Sequence, residues 1–179
     1  SGAYEFDGTN GYIELPKDSR DFNLKRGAIS FWIYPELSKA EQSYGGILHY
    51  RKNDCCTDYL LIRLHNTPKG DYLILYGEIN DISTLTVQMR ETQIKENKWN
   101  HVIIQQTGTG IEIYIDGAKQ EVIGLNSKDW FADHFPATYD FTIGDQGNWN
   151  YFFKGKIDEV RIWNRTLTPI EIEYLATKE

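Results

Sequence analysis

Three stretches of this chain combine residue types suited to holding a ligand. Asp145-Gln146-Gly147-Asn148-Trp149-Asn150-Tyr151 sets two aromatic rings in a polar run that lacks alternation, and Ser127-Lys128-Asp129-Trp130-Phe131 does the same around Trp130. A flat ring beside amides and carboxylates offers an apolar face for stacking and partners for hydroxyl groups, which is what a sugar requires. Trp149, Tyr151 and Trp130 are therefore the candidate stacking residues; the alternative is that these loops tuck back onto the fold. The third stretch runs from Tyr50 to Tyr59 and carries charges of both signs between tyrosines. Arg51, Asp54 and Asp58 are its candidate polar contacts. Cys55 and Cys56, the only cysteines, sit next to each other there and rule out a framework of long-range disulfides. They either stay as thiols in an ordinary solvated loop or close a vicinal disulfide that gives a sugar an apolar platform.

Catalytic spacing is missing. No Gly-x-Ser-x-Gly elbow, phosphate-cradling Gly-rich loop or metal-binding pair of histidines occurs, and His49, His65, His101 and His134 are scattered. Glu112 and Asp116 are four apart, but Asp116 belongs to a turn. Glu171 and Glu173 fall on a terminal helix. Both pairs read as solvated faces, so the chain is not expected to be an enzyme.

These residues need a scaffold, and the alternation describes one. Ile29, Phe31 and Ile33 share one face of a run whose other face is Ser30, Trp32 and Tyr34; Ile111, Ile113 and Ile115 repeat the pattern before the hairpin signal Asp116-Gly117. Val102 with Ile104, Leu73 with Leu75, and Val160 with Ile162 do likewise. Turn signals at Asp7-Gly8, Asn10-Gly11, Lys69-Gly70-Asp71 and Gly108-Thr109-Gly110 separate the runs. The pattern predicts an all-β antiparallel sandwich with a short C-terminal helix over Pro169–Ala176. Thr168 is the N-cap of that helix, Glu171 completes a capping box, and Leu167 and Ile172 have the spacing of a hydrophobic staple.

Composition bounds the partners. The 179 residues fit one domain, and Lys and Arg number 19 against 26 Asp and Glu, a net charge of −7. That balance, with no basic stripe, argues against nucleic acid. No apolar run nears the roughly 20 residues of a membrane span, and mean hydropathy is −0.54. Residues 1–179 read as a single domain, with Ser1-Gly2-Ala3 as a remnant ahead of it, no signal peptide, and a larger parent protein around it.

Four blocks then resemble a family. Phe6-Asp7-Gly8 with Tyr12-Ile13-Glu14, Ile29 through Pro35, Trp99-Asn100-His101-Val102 leading to Ile113 through Gly117, and Phe153 through Thr168 are similar, in order, to laminin-G-like jelly rolls of the concanavalin A-like lectin/glucanase superfamily. The resemblance implies a jelly-roll β-sandwich and a structural role for His101. It also implies core packing for Trp32, Trp99 and Trp163, which lie in family strand blocks. The paired carboxylates of related hydrolases, in a Glu-x-Asp-x-x-Glu run, are absent. The resemblance further implies a structural Ca2+ held by Asp7 and Asp158, completed by a carbonyl near Gly27, with a turn cap and an ion pair as the alternatives. The expected function is a non-catalytic carbohydrate-binding module that takes a glycan or polysaccharide and stands beside other domains of a larger extracellular or cell-surface protein. A protein-binding, adhesion or spacer module is the alternative, and a glycan-cleaving enzyme comes third.

Overall fold

The computed structural model describes residues 2–16, 26–36, 43–51, 59–67, 70–79, 82–91, 93–128, 140–145, 147 and 150–177. Its strands form two antiparallel sheets. Six strands run in the order β1 (Tyr4–Asp7), β13 (Lys154–Trp163), β3 (Gly27–Pro35), β8 (Asn100–Gln106), β9 (Ile111–Ile115) and β10 (Ala118–Lys119). Seven run in the order β11 (Val122–Leu125), β7 (Ile82–Met89), β6 (Gly70–Ile79), β5 (Tyr59–Thr67), β4 (Ser43–Arg51), β12 (Asp140–Ile143) and β2 (Ile13–Leu15). Ile29, Phe31 and Ile33 of β3 with Val102 and Ile104 of β8 pack against Leu60, Ile62 and Leu64 of β5 and Leu73 and Leu75 of β6. A strand alternates its faces, so burying these residues leaves their neighbours facing outward on both sides of the sandwich.

The same parity corrects one expectation. Trp32, Trp99 and Trp163 do not enter the core between the sheets. Trp32 lies out of phase with Ile29, Phe31 and Ile33, and its ring meets that of His101 at 4.9 Å with 49° between the planes. Trp99 is 40% exposed and meets Tyr34 edge-on at 5.6 Å. Trp163 donates its indole N–H to Ser30 Oγ at 3.2 Å and packs at the margin of a second cluster outside the six-stranded sheet. That cluster is built by α1 (Pro169–Ala176), whose Ile172 and Leu175 join Leu167 over Ala28 and Ile103. Both halves of the capping box are formed at Thr168 and Glu171.

Turn chemistry closes the sheets where the sequence places it. Asp116 (φ 49) and Gly117 (φ 80) make the two-residue hairpin between β9 and β10, matching the twist of the flanking strands. Asp116 Oδ1 also accepts the His101 backbone N–H at 2.9 Å, and its Oδ2 accepts Lys95 Nζ at 2.9 Å. Gly155 (φ +128) is the tightest point of β13, since a Cβ there would stand 2.1 Å from the Tyr34 carbonyl oxygen. That oxygen belongs to the neighbouring backbone and cannot swing aside. Gly155→Ala is therefore expected to cost about 3 kcal/mol, from backbone strain plus a broken strand contact. Urea unfolding measures it, and a loss under about 1 kcal/mol would contradict this packing.

Candidate functional site

The outward face of β4, β5 and β6 carries the densest set of rings and charges among the described residues. Strand register aligns it in rows: Tyr44, His65 and Tyr72; then Gly46, Arg63 and Ile74; then His49, Leu61 and Tyr76; then Arg51, Tyr59 and Glu78. Neighbouring rows and strands bring side chains within reach of one another. The Arg63 guanidinium lies 4.2 Å from the centre of the Tyr44 ring and 4.6 Å from that of Tyr76, and its Nη2 donates to Tyr76 Oη at 3.0 Å. Tyr44 stacks on His65 at 4.3 Å with 32° between the planes. Cation–π and ring contacts of this kind fix orientation, so Arg63 is held before any ligand arrives.

A loop completes the group. Tyr151 stands edge-on to Tyr44 at 5.1 Å and is 37% exposed. It gets there because β4 has glycines where the loop crosses. Gly46 N–H donates to the Tyr151 carbonyl at 3.0 Å, and a Cβ on Gly45 would press on Phe153 at 3.3 Å. The loop is anchored beneath by Asp145, whose Oδ1 accepts Thr142 Oγ1 and the Gly147 N–H, both at 2.8 Å. Gly147 (φ 64) lies directly against the Arg51 guanidinium.

Two buried groups lie beneath and beside the rings. His49 packs edge-on to Tyr59 at 5.9 Å, and burial followed by the charge of Arg51 pushes its imidazole down to about 3. Asp145 Oδ1 lies 4.0 Å from Nδ1 and accepts two hydrogen bonds from elsewhere. The Tyr59 hydroxyl donates to Glu78 Oε2 at 3.1 Å, and burial beside that carboxylate raises it above the usual tyrosine range. His65 is lowered by burial and then by Arg63. The face therefore presents the neutral imidazoles of His49 and His65 beside tyrosine rings, the guanidinium groups of Arg63 and Arg51 and the Glu78 side chain, a mixture of flat apolar surface and directional polar groups.

Of the candidates from the sequence, Tyr151 is on this face and exposed, and Arg51 is on the same face but tucked under Gly147. Trp149, Trp130, Asp54 and Asp58, with Cys55, Cys56 and His134, lie outside the described residues. Asp7 and Asp158 are not brought together. Asp7 stands opposite Lys154, four residues along β13 from Asp158, which is about 13 Å. The Gly27 carbonyl lies five residues along β3 from Trp32, the partner of Asp158. Each carboxylate makes local hydrogen bonds: Asp7 Oδ1 accepts the Thr9 N–H at 2.8 Å, and the Thr9 side chain followed by that N–H holds its carboxyl below the usual range, while Asp158 Oδ1 accepts the Glu159 N–H at 2.8 Å. Glu112 is likewise engaged, by Lys119, Gln105 and Tyr114.

Tyr44, Arg63, His65 and Tyr76 were not among the sequence candidates. Their signal was the phase of β5 and β6: with Leu60, Ile62 and Leu64 inward, Arg63 and His65 must face out, and Leu73 and Leu75 leave Tyr72 and Tyr76 outward in the same way.

A two-sheet jelly roll with a ring-lined outer face defines a lectin-like sandwich, and comparison with known proteins agrees. The sequence profile described as the concanavalin A-like lectin/glucanases superfamily matches residues 7–173, and the chain belongs to that superfamily. No curated protein matches it in sequence. Among solved structures, the CBM40 domain of the Ruminococcus gnavus IT-sialidase bound to α2,3-sialyllactose is 12% identical with a TM-score of 0.75, covering 98% of this chain and 97% of that one. Domain 4 of AbnA, a GH43 extracellular arabinanase from Geobacillus stearothermophilus in complex with arabinotriose, is 20% identical with a TM-score of 0.69, covering 98% and 76%. A heptameric SAP-like pentraxin from Limulus polyphemus is 15% identical with a TM-score of 0.67, covering 97% and 80%. At these identities the likeness is one of fold.

Proposed function

We propose that this domain is a non-catalytic carbohydrate-binding module of a larger extracellular or cell-surface protein. It holds glycan on the outer face of the seven-stranded sheet, where the 144–153 loop meets β4. One observation carries the reading: Tyr151, His65 and Arg63, which with Tyr44 are drawn from three separate segments, converge on the Tyr44 ring on one outward face. Trp149, two residues before Tyr151 in the sequence, Trp130, Arg51, Asp54 and Asp58 are further proposed contacts. The arabinotriose and sialyllactose complexes of the similar domains support a sugar as ligand, and the extracellular arabinanase supports the location. Support for a non-catalytic role comes from Glu112, Asp116 and Glu171, whose carboxylates are committed to hydrogen bonds within the fold.

A glycan and polysaccharide array tests this, with parallel assays for released reducing ends, in calcium and in EDTA. Saturable binding without product release is expected. Trp149→Ala and Tyr151→Ala should each lower affinity by about tenfold or more, with the melting temperature nearly unchanged. A blank array would favour a protein-binding or spacer module, and released sugar would make the domain an enzyme.

A further inference from the structure

The search for chemistry away from the ring-lined face leads to the rim where the β5–β6 hairpin meets the segment before β8. Asn66 and Asp71 are paired directly across β5 and β6, which sets their Cβ atoms about 5 Å apart. Both follow the parity of Leu64 and Leu73 and therefore point between the sheets, where Asn66 is 0% and Asp71 2% exposed. Glu96 reaches the same place from the other side, its Oε1 3.3 Å from Asn66 Nδ2. Asn66 Oδ1 is buried and accepts no hydrogen bond from any described residue. A buried carboxamide oxygen without a donor is costly in a folded protein, and a cation removes that cost. Nδ2 of the same carboxamide donates to Glu96 Oε1, so the orphan oxygen lies within one amide group of that carboxylate.

We propose that Asn66, Asp71 and Glu96 form a calcium site at this rim. Two carboxylates and an amide oxygen are hard ligands of the kind calcium takes, and water can fill the remaining positions of its flexible shell. The ion ties the segment leading into β8 to the β5–β6 hairpin, and so one sheet to the other. This site is separate from the glycan face and does not depend on it.

Thermal melts of EDTA-stripped protein, with and without a few millimolar calcium chloride, test the site. The wild type is expected to gain about 5 °C or more with calcium. Glu96→Gln should remove that gain, while Asp158→Asn should keep it. Asn66→Asp adds a third negative charge, so it should melt lower than the wild type in EDTA and show a larger gain in calcium. No gain in the wild type would overturn the site. So would a gain that survives Glu96→Gln, or an Asn66→Asp loss that is equal in calcium and in EDTA.

Discussion

Replacing Tyr44 by alanine is expected to lower glycan affinity by at least about thirtyfold, whereas Tyr44→Phe should stay within about threefold of the wild type. Tyr44 is the shared contact of His65, Tyr151 and Arg63. It stacks on His65, receives the edge of Tyr151 and covers one face of the Arg63 guanidinium. Without it, Arg63 keeps only the Tyr76 side of its clamp, and Tyr151 loses the ring that positions it. The lost surface is both stacking area and preorganisation, and central aromatic anchors typically carry two or more kcal/mol of binding. Phenylalanine keeps the ring, which is why the conservative variant should bind. Calorimetric titration with a glycan found on the array reads the change. Equal affinity in the wild type and Tyr44→Ala would remove this face as the site.

Acid is expected to weaken the fold through its buried histidines. His49 and His101 are held near 3 and near 4, in each case first by burial, so both are neutral in the folded protein. The unfolded chain protonates them near the ordinary histidine value of 6.5. Between 6.5 and the folded values the unfolded state therefore binds more protons, and stability falls as pH falls. At about 1.4 kcal/mol per pH unit for each group, moving from pH 6.5 to 5 should cost roughly 2 kcal/mol per histidine. Asp7, Glu112 and Glu171 do not account for this window, because each is lowered below the usual carboxylate range. Urea unfolding at pH 7, 6 and 5 should show a falling midpoint, and His101→Gln should flatten part of the slope. A constant midpoint across that range would mean that the imidazoles are not held neutral by burial.

Much of the fold could be read from the sequence because period-two alternation is local. Ile29, Phe31 and Ile33, Ile111 through Ile115, and the Asp116-Gly117 turn each state their strand or hairpin in a handful of residues. The capping box at Thr168 and Glu171 does the same for α1. Position within a strand block was a poorer guide to burial: Trp32 and Trp99 sit in such blocks yet lie outside the core, because parity rather than side-chain size decides which face a residue takes. The site was legible only in its loop. Tyr151 stands out in a polar run, whereas Tyr44, Arg63 and His65 become a group only through the pairing of β4 with β5. That pairing depends on register across a connection the sequence does not align. The spacing of Asp7 and Asp158 was hidden for the same reason: the β1–β13 register sets Asp158 four residues along from the partner of Asp7.

The most direct test of the proposed glycan face is nuclear magnetic resonance titration of labelled protein with a glycan that the array identifies. Shift changes should concentrate on Gly46, Arg63, His65 and Tyr151, with Tyr44 and Tyr76 ring signals moving at the same ligand concentration. Changes centred instead on Trp32, Tyr34 and Trp99, on the opposite side of the sandwich, would contradict it.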